Sequence, residues 1–211
     1  MDAQQGFWDA TAATAVFAHP IDPDLLLRHV GPDARILDLG CGYGRVLAEL
    51  WRNGFEKIAG IDTSPAMVER ARALVPDVTI TLSEGSKLPY DDGAFEAILL
   101  FAVLTCTPRD DDQRTLMREV RRLLVPGGVV YLSDYPLQSD ARNVARYRRN
   151  RERFGRYGVF EVDGGAVLRH HDADWLQQLT AGFSPIVTET FPVTTMRGNP
   201  ARGFRFLGRK E

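Results

Sequence analysis

The run Asp38-Leu39-Gly40-Cys41-Gly42-Tyr43-Gly44 combines a carboxylate with glycines at alternate positions, and a second carboxylate, Asp62, closes the next apolar run. Glycines let a backbone approach a ligand without Cβ clashes. A loop that runs into a helix also offers free N–H groups and a positive dipole end to an anionic group, phosphate or carboxylate alike. A carboxylate ending the adjacent strand suits the two hydroxyls of a ribose. The loop alone reads as a nucleotide-type cradle with its ligand undecided. Two details bear on the choice. The spacing is G-x-G-x-G rather than the G-x-G-x-x-G of dinucleotide sites, and Asp38 stands just upstream, where an amino group pairs well and a pyrophosphate is repelled.

These residues need a scaffold, and from Arg35 onward the chain alternates short apolar runs with helix-period segments. The runs are Ile36–Leu39, Ile58–Ile61, Val78–Leu82, Ala97–Phe101 and Val129–Leu132. Between them the pattern predicts helices over Val46–Asn53, Pro65–Leu74 and Gln113–Leu124, the last with Leu116, Met117, Val120 and Leu123 on one face. Buried strands alternating with crossover helices imply a parallel sheet covered on both faces. Near the end, Ile186–Val193 and Phe204–Leu207 flank Gly198-Asn199-Pro200 with no helix between them, which predicts an antiparallel hairpin at the sheet edge. The expected fold is therefore α/β: a Rossmann-like three-layer sandwich with a mostly parallel seven-stranded sheet and an antiparallel C-terminal hairpin strand. A length of 211 residues suits one domain, 1–211, with 1–33 as an N-terminal helical lid and 136–172 as a lid insertion on the acceptor side.

At this point the sequence resembles the class I S-adenosylmethionine-dependent methyltransferases, especially their small-molecule (type 11/25-like) group. The resemblance runs from Arg35 to Ser133. It rests on the glycine loop, on Ile61-Asp62-Thr63-Ser64 with Met67, on Glu84-Gly85-Ser86-Lys87-Leu88-Pro89-Tyr90, on Phe95-Glu96-Ala97-Ile98, and on Leu123-Leu124-Val125-Pro126-Gly127-Gly128. It implies S-adenosyl-L-methionine as cofactor, with Asp38, Gly40, Gly42 and Gly44 at the methionine moiety and Arg45 near its carboxylate. Asp62 would hold the ribose, and Thr63 and Met67 would border the adenosine. Glu84, Gly85 and Ser86 would meet the adenine, with Glu84 standing where the family commonly has Asp, and Phe101 and Ala102 would line the cofactor. The family's amino-methylating nucleic-acid and protein enzymes usually carry an Asn/Asp-Pro-Pro-aromatic run after the fourth strand. Here that place holds Leu100-Phe101-Ala102-Val103, which favours a small-molecule acceptor. The rival readings are a protein that binds the cofactor without turnover and an NAD-dependent oxidoreductase.

On the acceptor side, Asp134, Tyr135 and one of His170 and His171 are the candidates, because histidine titrates near neutral pH and an acceptor nucleophile can need to lose a proton. The segment Asp163-Gly164-Gly165 predicts a hairpin. A two-residue turn there puts His171 on the face of Phe160, Val162, Val167 and Arg169, and His170 with Glu161 and Leu168. Tyr135 and His171 are accordingly the candidate catalytic residues. Seven arginines lie between Arg142 and Arg156. Such helix faces are commonly just solvated, and no substrate is assigned to them.

The formal net charge of -2 gives no basic surplus, which argues against nucleic acid as a partner. The two cysteines, Cys41 and Cys106, fit a reducing cytoplasm. No stretch reads as a signal peptide or membrane span, and no metal-ligand cluster is evident. The oligomeric state stays open.

Overall fold

The computed structural model describes residues 3–83 and 87–211. A seven-stranded sheet has the order β3-β2-β1-β4-β5-β9-β8, where β1 is Ile36–Leu39, β2 Ile58–Asp62, β3 Thr79–Leu82, β4 Phe95–Phe101, β5 Leu124–Asp134, β8 Phe183–Thr194 and β9 Pro200–Lys210. Strands β1 to β5 are parallel neighbours, while β9 runs antiparallel to both β5 and β8. The expected sheet and its C-terminal hairpin are both present.

Strand alternation sends successive side chains to opposite faces, and each face meets its own helices. On one face Ile36, Ala97, Leu99 and Tyr131 pack with Leu47 and Leu50 of α3 (Arg45–Arg52) and with Val68 and Ala71 of α4 (Pro65–Leu74). On the other, Leu37, Ile98, Leu100 and Val130 pack with Met117, Val120 and Leu123 of α5 (Asp110–Leu123) and with Trp175, Leu176 and Leu179 of α7 (Ala173–Thr180). Each fully buried leucine of this kind contributes roughly 1.5–3 kcal/mol, so the two cores hold the strand ends at fixed positions.

The helix ends follow local chemistry. Ser64 caps α4 by accepting from the Met67 N–H at 3.2 Å, with Pro65 as first helical residue. Asp172 caps α7, accepting from the Trp175 N–H at 2.8 Å. Helix α5 begins three residues before its expected start because Asp110, Asp111 and Asp112 suit its positive N-terminal end, and Arg121 and Arg122 suit the other.

Helices α1 (Ala3–Thr11) and α2 (Pro23–Leu27) precede the sheet, and α6 (Ala141–Phe154) with the hairpin of β6 (Val159–Glu161) and β7 (Val167–Arg169) follows β5. The hairpin pairs Val159 with Arg169, Phe160 with Leu168 and Glu161 with Val167. That corrects the expected register by one residue. Val162 N–H donates to Ala166 O, and Gly165 N–H returns to Val162 O, so the turn holds three residues, Asp163, Gly164 and Gly165. Both glycines take positive φ, 97° and 86°. A one-residue slip exchanges the faces of every following side chain. Phe160, Leu168 and His170 therefore share one face, and His171 goes to the other with Val159 and Arg169. Among the described residues no helix is long and apolar enough to cross a membrane.

Candidate functional site

At the carboxyl end of the sheet the loops after β1 and β4 part in opposite directions and leave a cavity of about 1400 Å³. This is the switch point at which open α/β sheets bind ligands. A single ligand commonly fills roughly 300–1,000 Å³, so there is room for two molecules.

The glycine loop forms one wall. Gly40, Gly42 and Gly44 have φ of 72°, 53° and 84°. A Cβ on Gly40 would lie 2.7 Å from Val103 Cγ2, and one on Gly42 would lie 2.5 Å from the Phe17 ring. Gly40 and Gly42 line the cavity. Gly44 stands behind it, where its chain turns into α3 against Ala71. Asp38 lines the cavity at 1 % exposure, and its Oδ2 has no hydrogen-bond partner. Burial pushes this carboxyl up to about 7, with Arg45 opposing and Asp62 adding to the rise. A cationic amino group would satisfy the orphaned oxygen and restore the charged form. Asp62 Oδ2 accepts from the Gly42 N–H at 2.7 Å and Oδ1 from the Ser64 N–H at 2.9 Å. Each oxygen keeps a lone pair for a ligand hydroxyl. Burial also raises the Asp62 carboxyl, while these backbone donors oppose the shift.

Arg45, Thr63, Met67, Phe101 and Ala102 all line the cavity. Arg45 already donates through Nη2 to His19 O, yet its Nε is buried without a partner. Ala102 takes a positive φ of 58°, a strain of roughly 1–3 kcal/mol, while its N–H donates to Ser133 O at 2.7 Å. Glu84, Gly85 and Ser86 lie outside the described residues. Helix α1 borders the same wall. Asp9 accepts from the Ala66 N–H and faces the Ser64 hydroxyl, Gln5 Nε2 donates to Thr63 O, and Gln4 reaches Cys106 O and Val167. Phe17 stacks on Tyr43 with centroids 5.0 Å apart, and Trp8 meets Phe17 edge-on.

The opposite wall differs from expectation in its histidines. His171 does not line the cavity and is fully buried. Its Nε2 accepts from Gln113 Nε2 at 2.9 Å, and its Nδ1–H points to Tyr135 O at 3.2 Å. Both nitrogens are occupied, and burial pushes the imidazole down to about 3. Asp134 is likewise buried and off the cavity, accepting from the backbone N–H groups of Thr105 and Tyr135. It ties the end of β5 to the 3₁₀ turn Leu104–Cys106 that follows β4.

His170 lines the cavity instead, stacked on Tyr135. Its Nδ1 lies 2.5 Å from the Tyr147 hydroxyl, and its Nε2 faces Arg146 Nη2 at 3.5 Å. A guanidinium has only donors, so Nε2 carries the lone pair and Nδ1 the proton. Burial, then Arg146, holds the imidazole well below its usual range and therefore neutral. Tyr135 lines the cavity with a hydroxyl that makes no hydrogen bond among the described residues, and burial raises its phenol. His19 was not singled out from the sequence. It meets Tyr135 edge-on at 4.3 Å, its Nδ1 lies 3.0 Å from Ser133 Oγ, and its buried Nε2 has no partner. The only sequence signal was its place in the helix-breaking run His19-Pro20.

With this geometry in view, residues 37–132 match a family model described as a methyltransferase domain. Methyltransferase-like protein 27 of Homo sapiens is 30 % identical over 162 residues, covering 73 % of this chain and 64 % of that protein. The 2-methyl-6-phytyl-1,4-hydroquinone methyltransferase of Synechocystis is 32 % identical over 115 residues, 52 % of this chain and 34 % of that protein. The chain thus spans less than two thirds of either relative. Among solved structures, a SAM-dependent methyltransferase from Methanosarcina mazei superposes with a TM-score of 0.83 at 22 % identity, covering 88 % of this chain and 96 % of that one.

Proposed function

We propose that this chain is a class I S-adenosylmethionine-dependent methyltransferase and that it transfers a methyl group from S-adenosyl-L-methionine to a small-molecule acceptor held between the glycine loop and α6. One observation carries the reading. The buried, unpartnered Asp38 oxygen and the Gly40–Gly42 cradle stand beside Asp62 on one wall, while a second wall of ionisable and aromatic groups faces the rest of the cavity. The residues present fit the donor. Asp38 would take its amino group, Arg45 its carboxylate, Asp62 its ribose, and Met67 and Thr63 its adenosine.

When bound, the donor supplies a sulfonium methyl open to in-line displacement. What the protein must do is hold the acceptor lone pair on that line, keep water out and receive a proton. Tyr135 and His170 are the groups proposed for the acceptor: the free Tyr135 hydroxyl orients it, and the His170 Nε2 lone pair, released when Arg146 Nη2 turns to the acceptor, takes its proton. Helix α1, tied to Ser64, Thr63 and Val167, would act as a cover over the donor. Nucleic acid is not favoured as acceptor, since the chain has no basic surplus. The two unpaired cysteines, Cys41 buried and Cys106 half-buried, suit a reducing, cytoplasmic setting.

Calorimetric titration with S-adenosylmethionine, S-adenosylhomocysteine and NADH tests the donor assignment: the first two bind and NADH does not. Binding of NADH alone would sink it. Turnover with a labelled methyl donor across an acceptor library separates an enzyme from a protein that only binds.

A further inference from the structure

Three of the seven arginines of the α6 region face the cavity. Arg142, Arg146 and Arg149 recur at the spacing of one helix face, and all three line the space beside Tyr135 and His170. The others look elsewhere: Arg153 pairs with Glu161 and Arg156 with Asp110, while Arg148 and Arg151 are exposed.

Arg146 is the centre of this stripe. Its guanidinium carbon lies 3.5 Å over the Phe160 ring, its Nη2 faces His170, and its Nε is buried with no partner. It makes no ion pair among the described residues. A part-buried cation without a counter-charge is costly unless something else supplies one. None of the described residues does. Glu161 is taken by Arg153, Asp163 by Arg197 and Asp112 by Arg109, and the remaining cavity carboxylates, Asp38 and Asp62, stand on the glycine-loop wall. Among the described residues only the exposed Asp140 approaches the stripe, 3.8 Å from Arg142. In a chain of net charge -2, this wall carries an unbalanced positive charge.

We propose that the methyl acceptor is an anion whose carboxylate or phosphate oxygens seat on Arg146, flanked by Arg142 and Arg149, so that its nucleophilic end faces Tyr135 and His170. The proposal rests on the methyl-transfer reading above and adds the chemical class of the acceptor. Arginine suits the task because its planar fork donates two parallel hydrogen bonds to such a group. Phe160 beneath it fixes the plane of that fork.

The test uses the full chain saturated with S-adenosylhomocysteine, titrated with benzoate, phenyl phosphate and neutral benzyl alcohol. Binding is followed by calorimetry and by the arginine Nε–H resonances, with Arg146 assigned from the signal missing in Arg146→Met. At least one anion should bind about tenfold or more tighter than benzyl alcohol, move the Arg146 signal, and lose about tenfold or more in Arg146→Met. Benzoate alone indicates a carboxylate acceptor, phenyl phosphate alone a phosphate one. Should Arg146→Met fail to fold, Arg149→Met at its exposed position and the charge-keeping Arg146→Lys replace it, the first weakening the anion and the second restoring part of the affinity. Failure of both anions to bind, benzyl alcohol binding as well as they do, or anion affinity unmoved in the variants overturns the proposal. S-adenosylhomocysteine binding is measured first; its failure would strike the methyl-transfer reading instead.

Discussion

His170 lies on Tyr135 with ring centroids 5.2 Å apart and planes 21° from parallel, while its Nδ1 is held by the Tyr147 hydroxyl at 2.5 Å. The contact fixes both the orientation and the tautomer of an imidazole that faces the cavity. Replacing His170 by Ala should lower kcat by roughly 10²–10⁴-fold if the acceptor must lose a proton, with the affinity for S-adenosylhomocysteine held within about twofold. An unchanged kcat removes His170 from proton transfer. Tyr135→Phe should raise KM more than it lowers kcat, as loss of an orienting hydroxyl does.

Asp62 Oδ1 and Oδ2 each have one backbone donor and spare lone pairs. Asp62→Ala should weaken S-adenosylhomocysteine by about 10–100-fold, from two charge-assisted hydrogen bonds. Unchanged affinity by calorimetry would refute the ribose assignment.

Asp38 carries a sign-definite pH dependence. Its carboxyl is raised to about 7 in the folded chain from 3.8, so the folded state holds this proton more firmly than the unfolded one. The stability it contributes is complete below 3.8 and is lost as pH rises through about 7. Asp38→Asn should therefore stabilise the ligand-free protein at pH 8, by roughly 1–3 kcal/mol, while abolishing tight cofactor binding. In the wild type, affinity for S-adenosylhomocysteine should fall toward tenfold per unit as pH drops below about 7, because the ammonium group needs the ionised form. A flat affinity between pH 6 and 8 is the contrary result.

His171 joins Gln113 to Tyr135 O, and Gln113 in turn accepts from Trp175 Nε1 at 2.6 Å. His171→Ala should cost about 2–3 kcal/mol in denaturant unfolding, since it removes a fully buried ring and leaves a cavity in its place. An intact stability with lost turnover would instead give His171 a catalytic role.

Gly42→Ala brings a Cβ to 2.5 Å from Phe17 Cε2 at a φ of 53°. It should destabilise by about 1–2 kcal/mol and weaken the cofactor about tenfold. Adding Phe17→Ala should recover the steric part but not the backbone strain. A double-mutant cycle by thermal unfolding reads the difference.

These positions differ in how far they could be read from the chain. Gly40, Gly42, Asp38 and Asp62 were legible because positive φ and strand-end carboxylates are local requirements, set by a handful of neighbouring residues. The strands were legible for the same reason, since burial on both faces leaves continuous apolar runs such as Ile36–Leu39. The histidines were not. The sequence shows a hairpin at Asp163-Gly164-Gly165, but a turn of two residues or three fits the same letters. That single residue exchanges His170 and His171 between cavity and core.

By itself, then, the sequence determined the α/β scaffold, the glycine loop and the two carboxylates proposed to select the donor, all of which rest on short-range backbone geometry. Only the tertiary structure decided the acceptor wall. It brought His19 to Ser133 across 114 positions, turned α6 so that Tyr147 is buried and Arg142, Arg146 and Arg149 face the cavity, and chose His170 over His171. Those outcomes depend on register and on helix rotation, which are set by packing between distant segments rather than by neighbours along the chain.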